Sequence, residues 1–328
     1  MNKLIQMGID LYNNKITDYS QADANEAFRK ALLDVCGTDK IDYKVFRKHK
    51  NDLFELVEET LDKLIPQILD NQFDRFVESK NVNWGDQKEF ILPNVRKLFD
   101  IAIISEGNGN LRRQRIDEGG RMTIPTKMRG VKIYAPFMSF LAGRIDWAKM
   151  VNMIADSYTA NLKKEIFECF DAGFSELGST YGLTGTFDYE KLVELASHID
   201  AEYGMGVTVF GTKSALTKVT SASGKQLSDR AKDELLKGGY LGSLDGMDFV
   251  ELKQYHAPNT DEFAIDNKTL IVVPTGQEKI VKLIWEGESL ISETQAGVNA
   301  DGSKEYLLEK SYGMAVVPTM KYGMYKFS

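Results

Sequence analysis

Residues 99–129 decide the fold: Phe99-Asp-Ile-Ala-Ile-Ile104, then Gly107-Asn-Gly-Asn-Leu-Arg-Arg-Gln-Arg-Ile-Asp-Glu-Gly-Gly-Arg121, then Met122-Thr-Ile-Pro-Thr-Lys-Met-Arg129. The first piece reads as a strand. In the last, Met122, Ile124, Thr126 and Met128 alternate with Thr123, Pro125, Lys127 and Arg129, the period of a half-buried strand. Val131 and Ile133 resume on the opposite parity, so a bulge is expected near Gly130. Between the strands lie four glycines and only two apolar residues, Leu111 and Ile116. The pattern predicts a long hairpin with a polar tip.

Each limb spans about 17 residues, which at ~3.3 Å per residue gives a reach of roughly 50 Å. A two-stranded ribbon of that length does not support itself in water. It either folds back on its own domain or lies on another molecule. Charge favours the second reading. Between 105 and 130, Arg112, Arg113, Arg115, Arg121, Lys127 and Arg129 oppose Glu106, Asp117 and Glu118, a net of +3 in a chain of net −7. A basic ribbon is suited to an acidic surface on another copy.

A long helix follows. From Leu141, the apolar residues Ile145, Ala148, Val151, Ala155, Tyr158, Leu162, Ile166, Phe170 and Phe174 recur every three or four positions. No proline falls between 137 and 257. About 36 residues at 1.5 Å each give a rod of roughly 54 Å. Its charges, Arg144, Lys149, Lys163 and Lys164 against Asp146, Asp156, Glu165, Glu168, Asp171 and Glu176, leave −2.

Upstream, residues 3–79 read as helices. Ser20-Gln-Ala-Asp23 is a capping start and Gly37 a stop. A longer helix is expected over about 43–79, with Leu53, Val57, Leu61, Leu64 and Ile68 on one face and Pro66 kinking or dividing it. Glu55, Glu58, Glu59 and Asp62 are expected on a solvated face. The apolar face belongs either to a helical subdomain or to an arm reaching a neighbour; periodicity leaves both open.

Downstream the pattern is mixed α/β. It comprises a helix over 188–203, a buried strand at Val207–Phe210, a helix over about 226–237 and a turn-rich crossing at Gly238–Gly246. A strand at Phe249–Leu252, a core strand at Leu270–Val273, and a pair at Ile280–Trp285 and Tyr306–Val317 around the loop 294–303 complete it. With no repeat or low-complexity linker, the pieces should interpenetrate.

Composition excludes several classes. Hydrophobic residues are 43% and charged residues 27%, the balance of a soluble globular chain rather than a disordered or collagen-like one. No run approaches the ~18 apolar residues of a membrane helix. The start, MNKLIQMGIDLYNN, lacks the pattern of a secretory signal. An acidic chain is unlike a dedicated nucleic-acid binder. Cys36 and Cys169 are too few for a disulfide framework or thiolate zinc site, which suits a reducing cytoplasm.

Catalytic patterns are wanting. His49, His198 and His256 each stand alone. Ser221-Ala-Ser-Gly224-Lys225 lacks the earlier glycine and following hydroxyl of a phosphate loop, and Gly107-Asn-Gly-Asn-Leu-Arg112 lacks the third glycine of a dinucleotide fingerprint. No catalytic, cofactor-binding or metal-binding residue is assigned, and no cofactor is expected.

The order of helical N-terminal segment, long basic hairpin, very long helix, α/β domain and returning strands resembles the major capsid protein of tailed bacteriophages, the Hong Kong 97-type fold. Gly242-Ser-Leu-Asp-Gly-Met-Asp-Phe-Val250, Leu270-Ile-Val-Val-Pro-Thr-Gly276 with Ile280-Val-Lys-Leu-Ile-Trp285, and Glu309-Lys-Ser-Tyr-Gly-Met-Ala-Val-Val-Pro318 resemble its axial and closing peripheral strands. The resemblance covers about residue 40 to the end and rests on element order. It implies an α+β fold divided into an N-terminal helical arm (1–85), extended hairpin loop (86–138), peripheral domain with spine helix (139–186), axial domain (187–278), strands returning to the peripheral domain (279–317) and C-terminal tail (318–328).

The implied function is structural, not enzymatic: hexamers and pentamers closing an icosahedral virion shell around double-stranded DNA contacted without sequence preference. Portal, scaffold and decoration proteins are the implied partners, with synthesis and assembly in the host bacterial cytoplasm and no membrane. The basic tip (Arg112, Arg113, Arg115, Arg121, Lys127, Arg129) would lie over the acidic side of a neighbour's spine helix (Asp156, Glu165, Glu168, Asp171). The chain begins at Met1 without a long charged coiled-coil leader, so a built-in cleaved scaffold is not expected. An encapsulin-type bacterial shell shares the fold and is the nearest alternative; a cytoplasmic α/β enzyme with a hairpin lid is the other.

Overall fold

Leu61, Leu64 and Ile65 are fully buried on the first long helix, α1 (Tyr43–Phe73), and show where its apolar face goes. In the computed structural model, which describes residues 43–92, 120–135, 147–224, 228–257, 260–276, 279–293 and 304–328 with isolated positions before 38 and between 99 and 114, that face packs within the chain. Its partners are the sheet strand β10 (Val281–Glu293) and the second long helix, α2 (Trp147–Ala172). α1 runs through Pro66 without a break. It ends at Phe73, and residues 77–82, part of which the periodicity placed in the helix, form strand β1 (Val77–Val82).

One sheet has the order β1-β10-β11-β4, with β4 at Lys127–Ala135 and β11 at Lys304–Val316. β1 is parallel to β10; the other two pairings are antiparallel. α2 lies against this sheet through Ile154, Ala155, Tyr158, Leu162, Ile166 and Phe170, the spacing of a core-facing stripe. Residues 141–146 of the expected rod lie outside the described residues.

The second sheet has the order β5-β12-β9-β6-β8-β7: β5 (Gly182–Gly185), β6 (Val207–Gly211), β7 (Ser243–Leu244), β8 (Met247–Glu251), β9 (Thr269–Pro274) and β12 (Gly323–Phe327). Before it comes a one-turn helix, α3 (Gly178–Tyr181). Between its strands run α4 (Tyr189–Tyr203), α5 (Lys213–Ala222) and α6 (Asp229–Gly238). Asp188 caps α4 by accepting from the Glu190 N–H, and Gly204 closes it in the left-handed conformation. Asp245 and Gly246 both have positive φ, the two-residue turn that joins twisted strands β7 and β8.

All six residues of β9 are buried because both faces of this sheet are covered. Val209, Leu270, Val272 and Tyr325 pack with α4 and α5. Phe210, Ile271, Val273 and Met324 belong to the core shared with α1, α2 and the first sheet. Aromatic contacts join the halves: Phe76–Phe210 at 4.5 Å, Phe76–Phe170 at 5.9 Å and Phe170–Tyr322 at 5.1 Å between ring centroids. Interpenetration is thus realised as a core that spans both sheets, with a second cluster on the α4 and α5 face of the six-stranded sheet.

Three expectations change. Residues 323–327, read as tail, form an inner strand between β5 and β9. α5 went unread because its Ser- and Thr-rich sequence has modest helix propensity; burial of Ala215, Leu216 and Val219 fixes it. The acidic face of α1 is not wholly solvated. Glu58 accepts from the Ile291 N–H at 2.5 Å and Asp62 from the Ser289 N–H at 3.0 and 3.1 Å. The Ser289 donor lies inside the break in register between Glu286 and Leu290 of β10 and the Ile291 donor just beyond it, where the ladder leaves backbone groups to be satisfied from elsewhere.

Asp62 also pairs with Lys310, itself 3% exposed, and accepts from Ser289 Oγ at 2.6 Å. Burial pushes the Glu58 carboxyl above its ordinary range, against the Ile291 hydrogen bond.

Candidate assembly surface

The expected hairpin has its root in two short strands, β2 (Glu89–Ile91) and β3 (Arg121–Thr123), paired antiparallel with Phe90 opposite Met122. Leu92 N–H donates to Gly120 at 2.8 Å just beyond them. The ascending limb therefore starts at Glu89, not at Phe99. Phe99 and residues 101–103 have no strand partner, and the remainder of 99–112 lies largely outside the described residues. Alternation alone suggested a strand there; the pairing partner of β3 is ten residues earlier, where Phe90 can bury against Ile124 and Ile284.

The expected bulge near Gly130 is absent: β4 pairs with β11 one-to-one from Lys127↔Tyr312 to Ala135↔Lys304. Parity changes instead because the chain leaves strand geometry at 124–126, around Pro125. Proline has no N–H for a ladder. The carbonyl of Pro125 lies so close to Gly313 of β11 that a Cβ there would sit 2.3 Å from the oxygen.

Glu286 ties this segment down. It accepts from Thr126 Oγ1, from Ser311 Oγ at 2.9 Å and from the Gly85 N–H at 3.0 Å. These donors, Thr126 foremost, hold its carboxyl below the usual carboxylate range. Beside it Gly287 has φ +63°, and the Trp84 indole occupies the space a side chain would need. The β1–β2 turn, the 124–126 crossing and β11 thus converge on one carboxylate.

Where the loop joins β4, Arg129 points back to α2. Its Nε and Nη2 donate to the two oxygens of Glu165 at 2.7 and 2.6 Å, a bidentate charge-assisted pair. The guanidinium lies 3.7 Å from the Tyr312 ring centroid and donates to the Tyr312 carbonyl at 2.6 Å. Asn161 donates to Glu165 at 2.7 Å and to Tyr312 Oη at 2.9 Å, and Tyr158 Oη donates to the Arg129 carbonyl at 3.0 Å. Burial, with the Glu165 charge nearby, raises the Tyr312 hydroxyl well above its ordinary range.

The ten residues singled out from the sequence are thus dispersed. Arg112 and Arg115 lie outside the described residues. Arg113 is exposed, and Lys127 is exposed at the start of β4. Arg121 pairs with Glu89 at 3.0 Å across β2 and β3 in full solvent, where such a pair contributes little. Arg129 and Glu165 meet each other within one chain. Glu168 pairs with Lys164 at 3.6 Å on the exposed side of α2, Asp171 pairs with Lys326 of β12, and Asp156 is exposed near Lys163. Trp84, Glu286 and Tyr312 were missed; Gly287, just past the strand read at Ile280–Trp285, was a local signal of the register break beside Trp84 and Glu286.

Among the described residues no group of His, Cys, Asp and Glu is placed to hold a metal ion, and no helix is long and apolar enough to cross a membrane.

By fold, the chain is similar to a subunit of the bacteriophage PhiM1 mature capsid, with a TM-score of 0.51 at 11% identity over 79% of this chain and 87% of that one. It is similar to the same degree to a chain of Microbacterium phage Oxtober96, with a TM-score of 0.51 at 10% identity over 78% and 90%. Comparison with curated protein sequences gives no match. A sequence-family model described as SPbeta prophage-derived putative capsid protein YonB matches residues 1–326. With the family match spanning almost the whole chain, and a capsid fold beneath it, the protein belongs to the YonB family of phage capsid proteins.

Proposed function

We propose that this capsid protein builds its shell from hexamers and pentamers of identical subunits, enclosing double-stranded DNA. The observation that carries the reading is the root of the hairpin, which is tied to the body of the subunit. Glu286 holds the β1–β2 turn and the 124–126 crossing against β11, and the Arg129–Glu165 pair holds β4 against α2. A hairpin rooted in this way is suited to reach an adjacent subunit. The net charge of −7 suits a wall that contains DNA without gripping it. A portal, with a scaffold or decoration protein, would complete the head, and assembly would take place in the host bacterial cytoplasm.

The contact first expected between the basic tip and a neighbour's spine helix is narrowed by the pairing of Arg129 with Glu165. Arg112, Arg113, Arg115, Arg121 and Lys127 remain the side chains for a neighbour. Sedimentation of the purified chain tests the function: a fast boundary far above the 36.9 kDa subunit is expected, and a monomer or dimer at every concentration and salt would contradict it.

A further inference from the structure

Two lysines are buried among the described residues, Lys282 and Lys310, each in contact with a carboxylate. Lys282 meets Glu78, which it shares with Lys80 at 2.7 Å. Lys310 meets Asp62 in a more closed setting. Its Nζ touches Oδ1, one bond from the carboxyl carbon, and donates to Ser289 Oγ at 3.2 Å. Ser289, 1% exposed, donates its N–H to the two carboxylate oxygens at 3.1 and 3.0 Å and its hydroxyl to Oδ1 at 2.6 Å. The buried Trp285 ring closes one side, its centroid 5.3 Å from Nζ. Glu58, one turn earlier on α1, is bonded to the Ile291 N–H, and burial favours its uncharged form. An amine, a carboxyl group and fixed donors are thus held together where water is largely excluded.

We propose that Lys310 and Asp62 join through an isopeptide bond within the subunit, a covalent tie between α1 and β11. A buried ion pair keeps two charges out of water, and a neutral amide keeps none. Passing one proton from the ammonium to the carboxylate gives the uncharged amine and acid, the forms that burial favours. Nζ then attacks Cγ. The carbon–nitrogen bond forms, the Ser289 N–H meets the developing oxyanion, and one carbon–oxygen bond breaks. That oxygen leaves as water with two of the three ammonium protons, and the third stays on the amide nitrogen. Asp62 keeps 23% of its side chain exposed, which leaves the water an exit. The bond closes a loop between two residues 248 positions apart, so most of the chain cannot extend on unfolding. Such a tie strengthens the subunit itself and needs no contact between copies.

Intact-mass spectrometry of the denatured full chain tests this, after the folded protein has stood at neutral pH. Wild type is expected to fall short of its sequence mass by one water. Digestion should give a branched peptide that joins the α1 segment around Asp62 to the β11 segment around Lys310. Lys310→Arg keeps the positive charge, but its guanidinium stays protonated and cannot attack. That variant and Asp62→Ala should carry their full sequence masses and run behind wild type on a denaturing gel. Wild type at full sequence mass would overturn the proposal and leave the contact an ion pair. So would a lost water that persists in Lys310→Arg or maps to an unbranched peptide, since the dehydration would then lie elsewhere. The first reading is taken on wild type, so it stands even where a variant fails to fold.

Discussion

Arg129 and Glu165 meet through two charge-assisted hydrogen bonds, at 2.7 and 2.6 Å, with the guanidinium stacked on the Tyr312 ring. They join β4, into which the loop descends, to the middle of α2. Their opposite charges suggest a contact between subunits when read from sequence, yet the fold brings them together within one. The pair therefore fixes the start of β4 against α2.

Because both side chains are only partly exposed, the pair should be measurably coupled. Arg129→Ala and Glu165→Ala are each expected to lower stability by roughly 1–3 kcal/mol. A double-mutant cycle read by denaturant unfolding should give a coupling of about 1 kcal/mol or more. Additive effects would mean that the two groups act independently.

Lys310 and Asp62 form a deeper link between α1 and β11. Asp62→Ala strands a buried ammonium and two donors of Ser289, and should cost roughly 3–5 kcal/mol. Glu59→Ala, one turn away on α1, should stay within about 0.5 kcal/mol. Equal losses in the two variants would place Asp62 on the surface that its sequence neighbours suggested.

The carboxylates give opposite pH signatures. Glu286 is held below its ordinary range in the folded state, so its stabilisation is complete above the unfolded value and is lost as pH falls through the depressed folded value. For Glu78, burial works against ionisation, but hydrogen bonds from Lys282 and Lys80 outweigh it and the sign is the same. Glu58 is raised by burial, so its contribution is present below the unfolded value and is lost as pH rises through the folded one. Melting curves across the acid range should show Glu286→Gln flattening the acid loss and Glu58→Gln removing the loss on the higher-pH side. Parallel curves for all three proteins would refute the assignment.

Gly313 admits the Pro125 carbonyl against β11. Gly313→Ala should displace the 124–126 crossing and cost about 1–3 kcal/mol, with hydrogen exchange accelerated at Thr126 and Met128. An alanine variant with wild-type exchange there would show that the crossing is not seated on the sheet.

Long periodic elements were legible. The stripe Ala155, Tyr158, Leu162, Ile166 and Phe170 of α2, the apolar run of β9 and the cap before α4 each carry their instruction locally. What escaped depends on partners distant in sequence. β12 is five residues long and becomes a strand by pairing with β5 and β9. Phe99–Ile104 alternates like a strand, but β3 finds its partner at 89–91. The candidate surface was legible as a charge pattern and not as a set of contacts: sequence supplied both Arg129 and Glu165, and topology alone put them in the same subunit.

The most direct measurement is a cryo-EM reconstruction of particles assembled from the purified chain. The account predicts a closed shell of many copies in which the Arg129–Glu165 pair stays within each subunit. Open sheets or no particles at all, or a shell in which Arg129 reaches Glu165 of an adjacent subunit, would contradict it.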